Sequence, residues 1–535
     1  MTGQAYPIWQ PRKRDLEDSF VAKFMSHLGF DSYDDFYQFS VDQPDRYWRA
    51  FNDYYGFVWS KKYEQFSDFS KGPEFPQWFI GGELNWVDNV LRWADHPVAG
   101  KAPAIIAERE AGSIEQIDYR ELRERVRRLA GGLKAYGIKR GDRIGLLMEN
   151  GIEANVSFLA ISYIGAIVVP LFTGFGVDAI VSRLSSCQAR ILLATTGFAR
   201  RGKFVDAASF VQAALKQLPT VETVFWKASP EGPALVSGQH NWYDLAAHVP
   251  IPTPPERMKP SDPFMVIYTS GTTGKPKGPV HTHGGFPLKM AHDSAIHINI
   301  QQGDILCWPA DMGWIAGPLV STSALLNGAT LVTYDGAPDF PNWSRMANII
   351  ERNRVTHYGA SPTLIRGFQA HAKEAVHGDL STIQVMVTAG ESISPEHHHW
   401  FHQNFGRMEC PIINITGGTE VSCALLASVV VKPIAPSCFN TQSPGVSVDV
   451  VNADGQPLRD QIGELAILAP FVGMCSSFWE DDERYLDSYW RTIPGLWVHG
   501  DLALAVDVEG HVIGAAIAFL AASTHQNFRG LVSKR

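Results

Sequence analysis

Along the chain the pattern of apolar and polar positions changes three times, and each change marks a different kind of unit. Through about residue 100 the apolar positions are mostly rings, at Tyr33, Tyr37, Tyr47-Trp48, Tyr54-Tyr55, Phe57-Val58-Trp59 and Trp78-Phe79-Ile80, with no sustained period. A short helix is expected over 42–51, with Asp42 as N-cap and Pro44 in its first turn. Rings carry much apolar area per residue, so this stretch reads as an extension wrapped on a larger body. From residue 103 strands are expected at 143–148, 166–169, 191–194 and 222–225, alternating with helices at 153–165, 178–186 and 204–218. That alternation means βαβ units and mostly parallel sheet. Five prolines make 251–263 a stiff connector. A second series follows, with strands at 264–268, 330–334, 355–358, 384–388 and 412–415 and helices at 284–296, 319–326 and 342–352. From about 436 the elements shorten to β-like runs such as 446–451 and 463–468.

The expected fold class is therefore α/β: two α/β lobes with mostly parallel sheets plus a small β-barrel-like unit. Its divisions are an aromatic extension at 1–100, lobes at 101–255 and 256–435, the small β unit at 436–513 and a tail at 514–535. The uncharged run from Ala154 to Val177 is long enough to raise a membrane span. Asn155, Ser157, Ser162 and Gly165 interrupt it and Pro170 closes it, so it divides into a buried helix and a short strand. Composition sharpens this: 45% of residues are hydrophobic, 19% are charged, and the net charge of −9 comes without any Lys/Arg block. That balance argues against a nucleic-acid partner and against a polybasic membrane anchor. Six scattered cysteines without a CxxC pair, and an N-terminus without an apolar signal core, point to a reducing, cytoplasmic setting.

The strongest chemical signal is Tyr268-Thr269-Ser270-Gly271-Thr272-Thr273-Gly274-Lys275-Pro276-Lys277-Gly278. Glycines let backbone approach an anion closely, loop N–H groups form an anion nest, and hydroxyls and lysines add donors and charge. The run suits a polyphosphate, yet it is not a GxxxxGK[ST] loop, because Pro276 follows Lys275.

This run resembles the signature loop of the acyl-adenylate-forming enzymes, and other segments agree in order and spacing. Asp311-Met312-Gly313-Trp314 resembles that family's DxGW turn, Gly390-Glu391-Ser392 its adenine-contacting loop, Thr416-Gly417-Gly418-Thr419-Glu420 its (Y/S/T)G.TE motif, and Trp497-Val498-His499-Gly500-Asp501 its W..(T/H)GD segment. The extension, with Trp78-Phe79 and Gly81-Gly82-Glu83-Leu84-Asn85, is similar to the acetyl-CoA synthetase branch. The resemblance implies an AMP-forming acyl-CoA synthetase that joins a short- to medium-chain acid to ATP and then to coenzyme A. It places Thr269 to Gly274, Lys275 and Lys277 on the phosphates; Gly390, Glu391, Ser392, Thr416, Gly417, Gly418 and Asp501 on adenine and ribose; Thr419 and Lys277 beside the reacting groups; and Glu420 on Mg²⁺. A homo-oligomer remains open.

The acetate-specific branch has WWQTE where this chain has Thr416–Glu420, so Gly417 stands where a Trp would close the acyl pocket. A larger pocket is expected, taking propionyl, butyryl, medium-chain or branched acids, with Trp314 or Val387 able to narrow it. His397-His398-His399 tempts a metal reading, but consecutive helical residues cannot all face one ion, and a wet surface cluster is expected. His281 and His283 are expected to order the turn after the phosphate loop.

After Asp507-Val508-Glu509-Gly510 the family continues into Arg-Ser-Asp-Asp, a hinge and a small lysine-bearing domain, whereas this chain reads Gly514-Ala515-Ala516-Ile517 to its end. One lost base would produce the change: codons GGC CGC AGC GAT C, for Gly-Arg-Ser-Asp, read without a C after the first codon become GGC GCA GCG ATC, or Gly-Ala-Ala-Ile. The expectation is a frameshifted tail and impaired activity. The alternatives are a non-catalytic ATP and acyl binder, or an adenylation module loading a carrier-protein thiol.

Overall fold

The computed structural model describes residues 7–251, 253–269, 275–508 and 511–515. Five residues of the phosphate loop (Ser270, Gly271, Thr272, Thr273 and Gly274) and the tail from 516 lie outside the described residues. Among the described residues the strands form two large sheets, of seven and nine strands, and a four-stranded antiparallel sheet.

In the first sheet Arg143–Leu147, Ile167–Pro170, Ile191–Thr195 and Thr223–Lys227 run parallel, and Pro263–Val266 joins beside Ile167–Pro170. In the second, Pro103–Arg109, Thr330–Asp335, Ile305–Cys307, His357–Gly359, Val385–Ala389 and Ile412–Thr416 lie parallel in that spatial order. The stretches 101–255 and 256–435 thus exchange a pair of strands: 103–118 pairs into the second sheet and 263–282 into the first. The strands Val448–Val451, Ile462–Ile467 and Trp497–Val508 make most of the small antiparallel sheet.

Helix Ile152–Tyr163 has every residue buried, which is why its sequence carries no polar face. Gly165, at φ 72°, then turns the chain into Ile167–Pro170. Among the described residues no helix is long and apolar enough to cross a membrane. Two local expectations need correction. Helices Tyr33–Asp42 and Pro44–Tyr55 replace the single one at 42–51: Asp42 ends the first, Gln43 stands at the next N-cap, and Pro44 opens the second, where its missing N–H is not needed. The helix expected from 204 starts at Ala207, because Lys203–Asp206 pairs back onto Gly197–Arg200 and Asp206 then accepts the Ser209 N–H as a cap.

The extension buries Phe24, Phe36, Tyr47, Trp48 and Phe51, ring against ring. Its edge hydroxyls reach two different units: Tyr55 donates to the Leu326 carbonyl at 2.8 Å, and Tyr37 to that of Val446 at 3.1 Å. The cysteines are unbridged, and all but Cys438 are buried.

Where the carboxyl ends of the two large sheets meet, charges are buried. Glu149 and Lys227 of the first sheet form an ion pair closed to solvent, and Glu153 accepts the Tyr243 hydroxyl at 2.9 Å. Asp335 ends its strand of the second sheet opposite Arg109. Burial, reinforced by the charge of Glu149, pushes the Asp335 carboxyl up to about 8, against the pull of Arg109, Lys227 and Arg200. Unfolded, the same group titrates near ~3.9. Between those values the folded chain holds a proton that the unfolded chain has lost, so this contribution to stability falls as pH rises and is gone above the folded value. Thermal melting of the wild type is therefore expected to fall by a few degrees between about pH 6 and pH 9, and Asp335→Asn to remove that part of the slope. An unchanged slope in the Asn variant would refute the assignment.

Candidate active site

The phosphate loop is closed at its base. Thr269 and Lys277 face each other as a two-residue bridge, with Thr269 N–H donating to Lys277 O at 2.9 Å and Lys277 N–H to Thr269 O at 3.2 Å. Arg484, from helix Asp482–Tyr489, holds the loop's exit by donating to the carbonyls of Lys275 and Pro276 at 2.5 and 2.9 Å. Inside this base Lys277 Nζ lies 3.5 Å from the Tyr489 hydroxyl and 4.8 Å from the centre of its ring, with Phe478 beyond. The Tyr489 hydroxyl donates to Glu420 Oε1 at 2.6 Å, and its ring stacks on Trp497. Burial lowers the Lys277 ammonium pKa, and Glu420 pulls it back up. A cation, a phenol and a carboxylate thus form one chain from the loop to the Thr419–Val421 turn.

That turn connects Ile412–Thr416 to its antiparallel neighbour Leu426–Ala427, with Leu425 N–H returning to Thr416 O at 2.8 Å. The nine residues 417–425 must reverse direction here. The reversal is tight: Ser422 sits at φ 68°, ψ −63°, the centre of a γ-turn closed by Cys423 N–H on Val421 O at 2.8 Å. A positive-φ γ-turn in a non-glycine residue is strained, and such strain concentrates at functional sites. Gly417 lies directly under the reversal; a Cβ there would fall 1.6 Å from the Cys423 carbonyl oxygen. Gly418 has more room, its nearest neighbour being His499 Nε2 at 3.1 Å from a Cβ position.

His499 brings in the last motif. Its Nδ1 lies 3.0 Å from Asp501 Oδ2. Burial disfavours the charged ring, but Asp501 and Glu420 outweigh it, and the His499 pKa is raised. On the other side of Thr416 and Gly417 a cavity of about 440 Å³ opens, lined also by Gly390, Glu391, Ser392, Ile393, Asn414 and Phe439. Gly390, at φ 92°, supplies the left-handed turn that ends Val385–Ala389 at this cavity. Glu391 is engaged at the rim, accepting the Thr363 hydroxyl at 2.9 and 2.8 Å beside Arg366.

Thr269, Lys275, Lys277, Gly390, Glu391, Ser392, Thr416, Gly417, Gly418, Thr419, Glu420 and Asp501 are therefore parts of one connected arrangement. Trp314 is 49% exposed and packs on Phe172, with Asp311 fixing the turn by accepting the Gly313 N–H and the Thr173 hydroxyl. Val387 is fully buried in the middle of its strand, between Gly359 and Ile413. At Gly417 the Cβ of any side chain would fall 1.6 Å from the Cys423 carbonyl oxygen, so the backbone as folded here admits no side chain at this position.

Of the run His397-His398-His399, only His398 is buried; His397 is half-buried and His399 exposed, so the surface-cluster expectation fails at His398 alone. His398 Nδ1 accepts the Ser437 N–H at 2.9 Å, and burial takes its pKa down to about 3. His281 is fully buried next to the Thr419 backbone; burial lowers it to about 4, so it is neutral at pH 7. Sequence reasoning missed Tyr489 and Arg484. Their only sequence signal is an aromatic and charged helix, 482–489, ahead of Trp497.

Comparison with known proteins gives the family and the fold. The AMP-binding enzyme family matches residues 93–476, and the family described as acetyl-coenzyme A synthetase N-terminus matches residues 33–90. The chain is 32% identical over 523 residues to the acetyl-coenzyme A synthetase of Chlorobaculum tepidum, covering 94% of this chain and 79% of that one. It is 34% identical over 520 residues to the acetyl-coenzyme A synthetase of Pyrobaculum arsenaticum, covering 93% and 77%. Its fold is similar to the solved acetoacetyl-CoA synthetase from Streptomyces lividans, with a TM-score of 0.89 and 28% identity over 96% of this chain and 80% of that one.

The crowding at the turn gives a direct test. Gly417→Ala is expected to cost about 3 kcal/mol or more, because backbone must move, and Gly418→Ala about 1 kcal/mol or less. Denaturant unfolding of the two variants measures this; equal costs would show that the Cys423 carbonyl does not crowd Gly417.

Proposed function

Because the chain belongs to the AMP-binding enzyme family and carries an acetyl-coenzyme A synthetase N-terminus before it, we propose that it joins a small carboxylic acid to ATP as acyl-AMP and then to coenzyme A. The observation that carries this reading is the chain Lys277–Tyr489–Glu420, which ties the phosphate loop to the turn bordering the 440 Å³ cavity. An oxygen of the acid attacks the α-phosphorus, and the bond to pyrophosphate breaks. The coenzyme A thiol then attacks the acyl carbon, and AMP leaves.

Both reactants of the first step are anions, so charge compensation and alignment carry most of the rate. Lys277 supplies a half-buried cation whose competing water is limited by the Phe478 and Tyr489 rings. In this reading the Thr419 hydroxyl donates to the α-phosphate, and the cavity lined by Gly390–Ser392 accepts the adenine. Asp501, paired with His499, accepts the ribose hydroxyls. Glu420 is the residue that would hold Mg²⁺. Among the described residues no group of three or more His, Cys, Asp or Glu could hold a metal. A single carboxylate fits an ion that takes its other oxygens from nucleotide and water. When bound, Mg²⁺ supplies neutralisation of phosphate charge.

The acid is at the short end of the range. The Cys423 carbonyl stands where a side chain of residue 417 would begin, and the four-carbon oxo acid for which the S. lividans synthetase is named belongs among the candidates. ATP–pyrophosphate exchange with acids of about two to ten carbons is expected to peak at about two to four, since each surplus methylene costs binding in a closed pocket. Glu420→Gln is expected to lower the exchange kcat by about 100-fold or more. ATP binding by calorimetry with no exchange for any acid would instead favour a non-catalytic binder.

A further inference from the structure

A polar cluster closed to solvent lies against the Thr416–Ala424 turn. It comprises Lys289, His292 and Asp293 of helix Phe286–Ile296, His297 just after it, Ser443, and Tyr47 from the N-terminal extension. Lys289 Nζ donates to the Asp293 oxygens at 2.5 and 2.6 Å, to Ser443 Oγ at 2.9 Å and to the Ala424 carbonyl at 3.0 Å. Asp293 Oδ2 accepts the Ala424 N–H at 2.9 Å. One ion pair therefore holds both polar groups of residue 424. His292 braces the pair, its Nδ1 2.7 Å from Asp293 Oδ1 and its Nε2 2.5 Å from the Tyr47 hydroxyl.

Residue 424 adjoins Cys423, whose carbonyl covers Gly417, and follows the strained Ser422. The Ser422 hydroxyl donates to the Gly473 carbonyl, and Gly473 is pressed on the Lys289 stem, where a Cβ would fall 2.7 Å from Cγ. Stability does not account for such a pair, since well-packed apolar residues commonly replace buried ion pairs at no loss. Position does.

We propose that Lys289 and Asp293 are positioning residues for acyl-adenylate formation. They clamp residue 424, and through Cys423 over Gly417 they keep Thr419 and Glu420 aligned with the phosphate loop. The catalytic half of this inference rests on the function proposed above; the clamp itself does not.

Two double variants test it: Lys289→Met with Asp293→Leu, which removes the clamp without leaving an unpaired charge, and Lys289→Met with Asp293→Asn, which keeps an acceptor for the Ala424 N–H. The Met/Leu variant is expected to melt within a few degrees of wild type while its Ala424 amide exchanges hydrogen about 10-fold faster or more. Its pyrophosphate-exchange kcat should fall about 30-fold, with ATP affinity by calorimetry changing less than about 3-fold, and the Met/Asn variant should recover most of that loss. The proposal is overturned if Met/Leu exchanges pyrophosphate at the full rate, if kcat and ATP affinity fall in proportion, or if Met/Asn is no better than Met/Leu. Should Met/Leu fail to fold, Lys289→Met with Asp293→Ala, which also removes the acceptor, carries the same comparison of kcat with binding. If wild type exchanges pyrophosphate with no acid, the functional reading fails instead, and the Ala424 amide comparison alone decides the clamp.

Discussion

Asp293 carries a negative charge where water does not reach, and much of the second half of the molecule is arranged around it. Burial opposes the ionised form, yet Lys289 and His292 hold the carboxyl well below the usual carboxylate range. A charge in such a place is tolerated only when every lone pair is used. That requirement explains why helix Phe286–Ile296 can be buried all round and still carry Lys289, His292 and Asp293, and why Tyr47 must come from the extension to complete the set. The extension is thus more than a wrapping of rings. It supplies a hydrogen bond to the network that holds the turn beside the reaction site.

The large sheets impose the second constraint. Loops after parallel strands open at the carboxyl edge, where ligands of α/β proteins bind. Gly390–Ser392 follows one such strand, Val385–Ala389, and Thr416–Glu420 follows its neighbour, Ile412–Thr416, so two segments about 25 residues apart in sequence border one cavity. The phosphate loop comes from the other sheet, and contact is made by the segment 475–489, which gives Arg484 to the loop and Tyr489 to Glu420. Cys475 N–H on the Glu420 carbonyl at 2.7 Å ties the same segment to the turn's backbone.

Most strands and helices of both lobes were legible in the sequence because buried parallel strands and enclosed helices leave long apolar runs with clear ends. The motif residues were legible because glycines, hydroxyls and charges of those types rarely cluster by chance. Strand exchange between the lobes was not, since Pro103–Arg109 and Pro263–Val266 read as ordinary strands whichever sheet takes them. Nor was the role of Tyr489, a tyrosine in an amphipathic helix, or of Lys289 and Asp293, whose spacing of four reads as a surface ion pair until burial is known. At Gly417 the sequence tells that a side chain is absent, but not that the chain after Glu420 folds back until the Cys423 carbonyl stands against that position.

Backbone, more than side-chain size, decides what can stand at position 417. A pocket closed by an indole changes size when the indole is replaced, leaving the backbone where it was. Here the Cys423 carbonyl oxygen lies against Gly417 instead, fixed by the γ-turn at Ser422 and by the bonds of residue 424 to Lys289 and Asp293. Interiors pack too densely for a peptide to shift alone. The position of that oxygen then depends on the turn as a whole, and through Asp293 and His292 it is linked to Tyr47 of the extension. Adding bulk at 417 therefore breaks the turn, because neither the side chain nor the carbonyl it meets has another place to go.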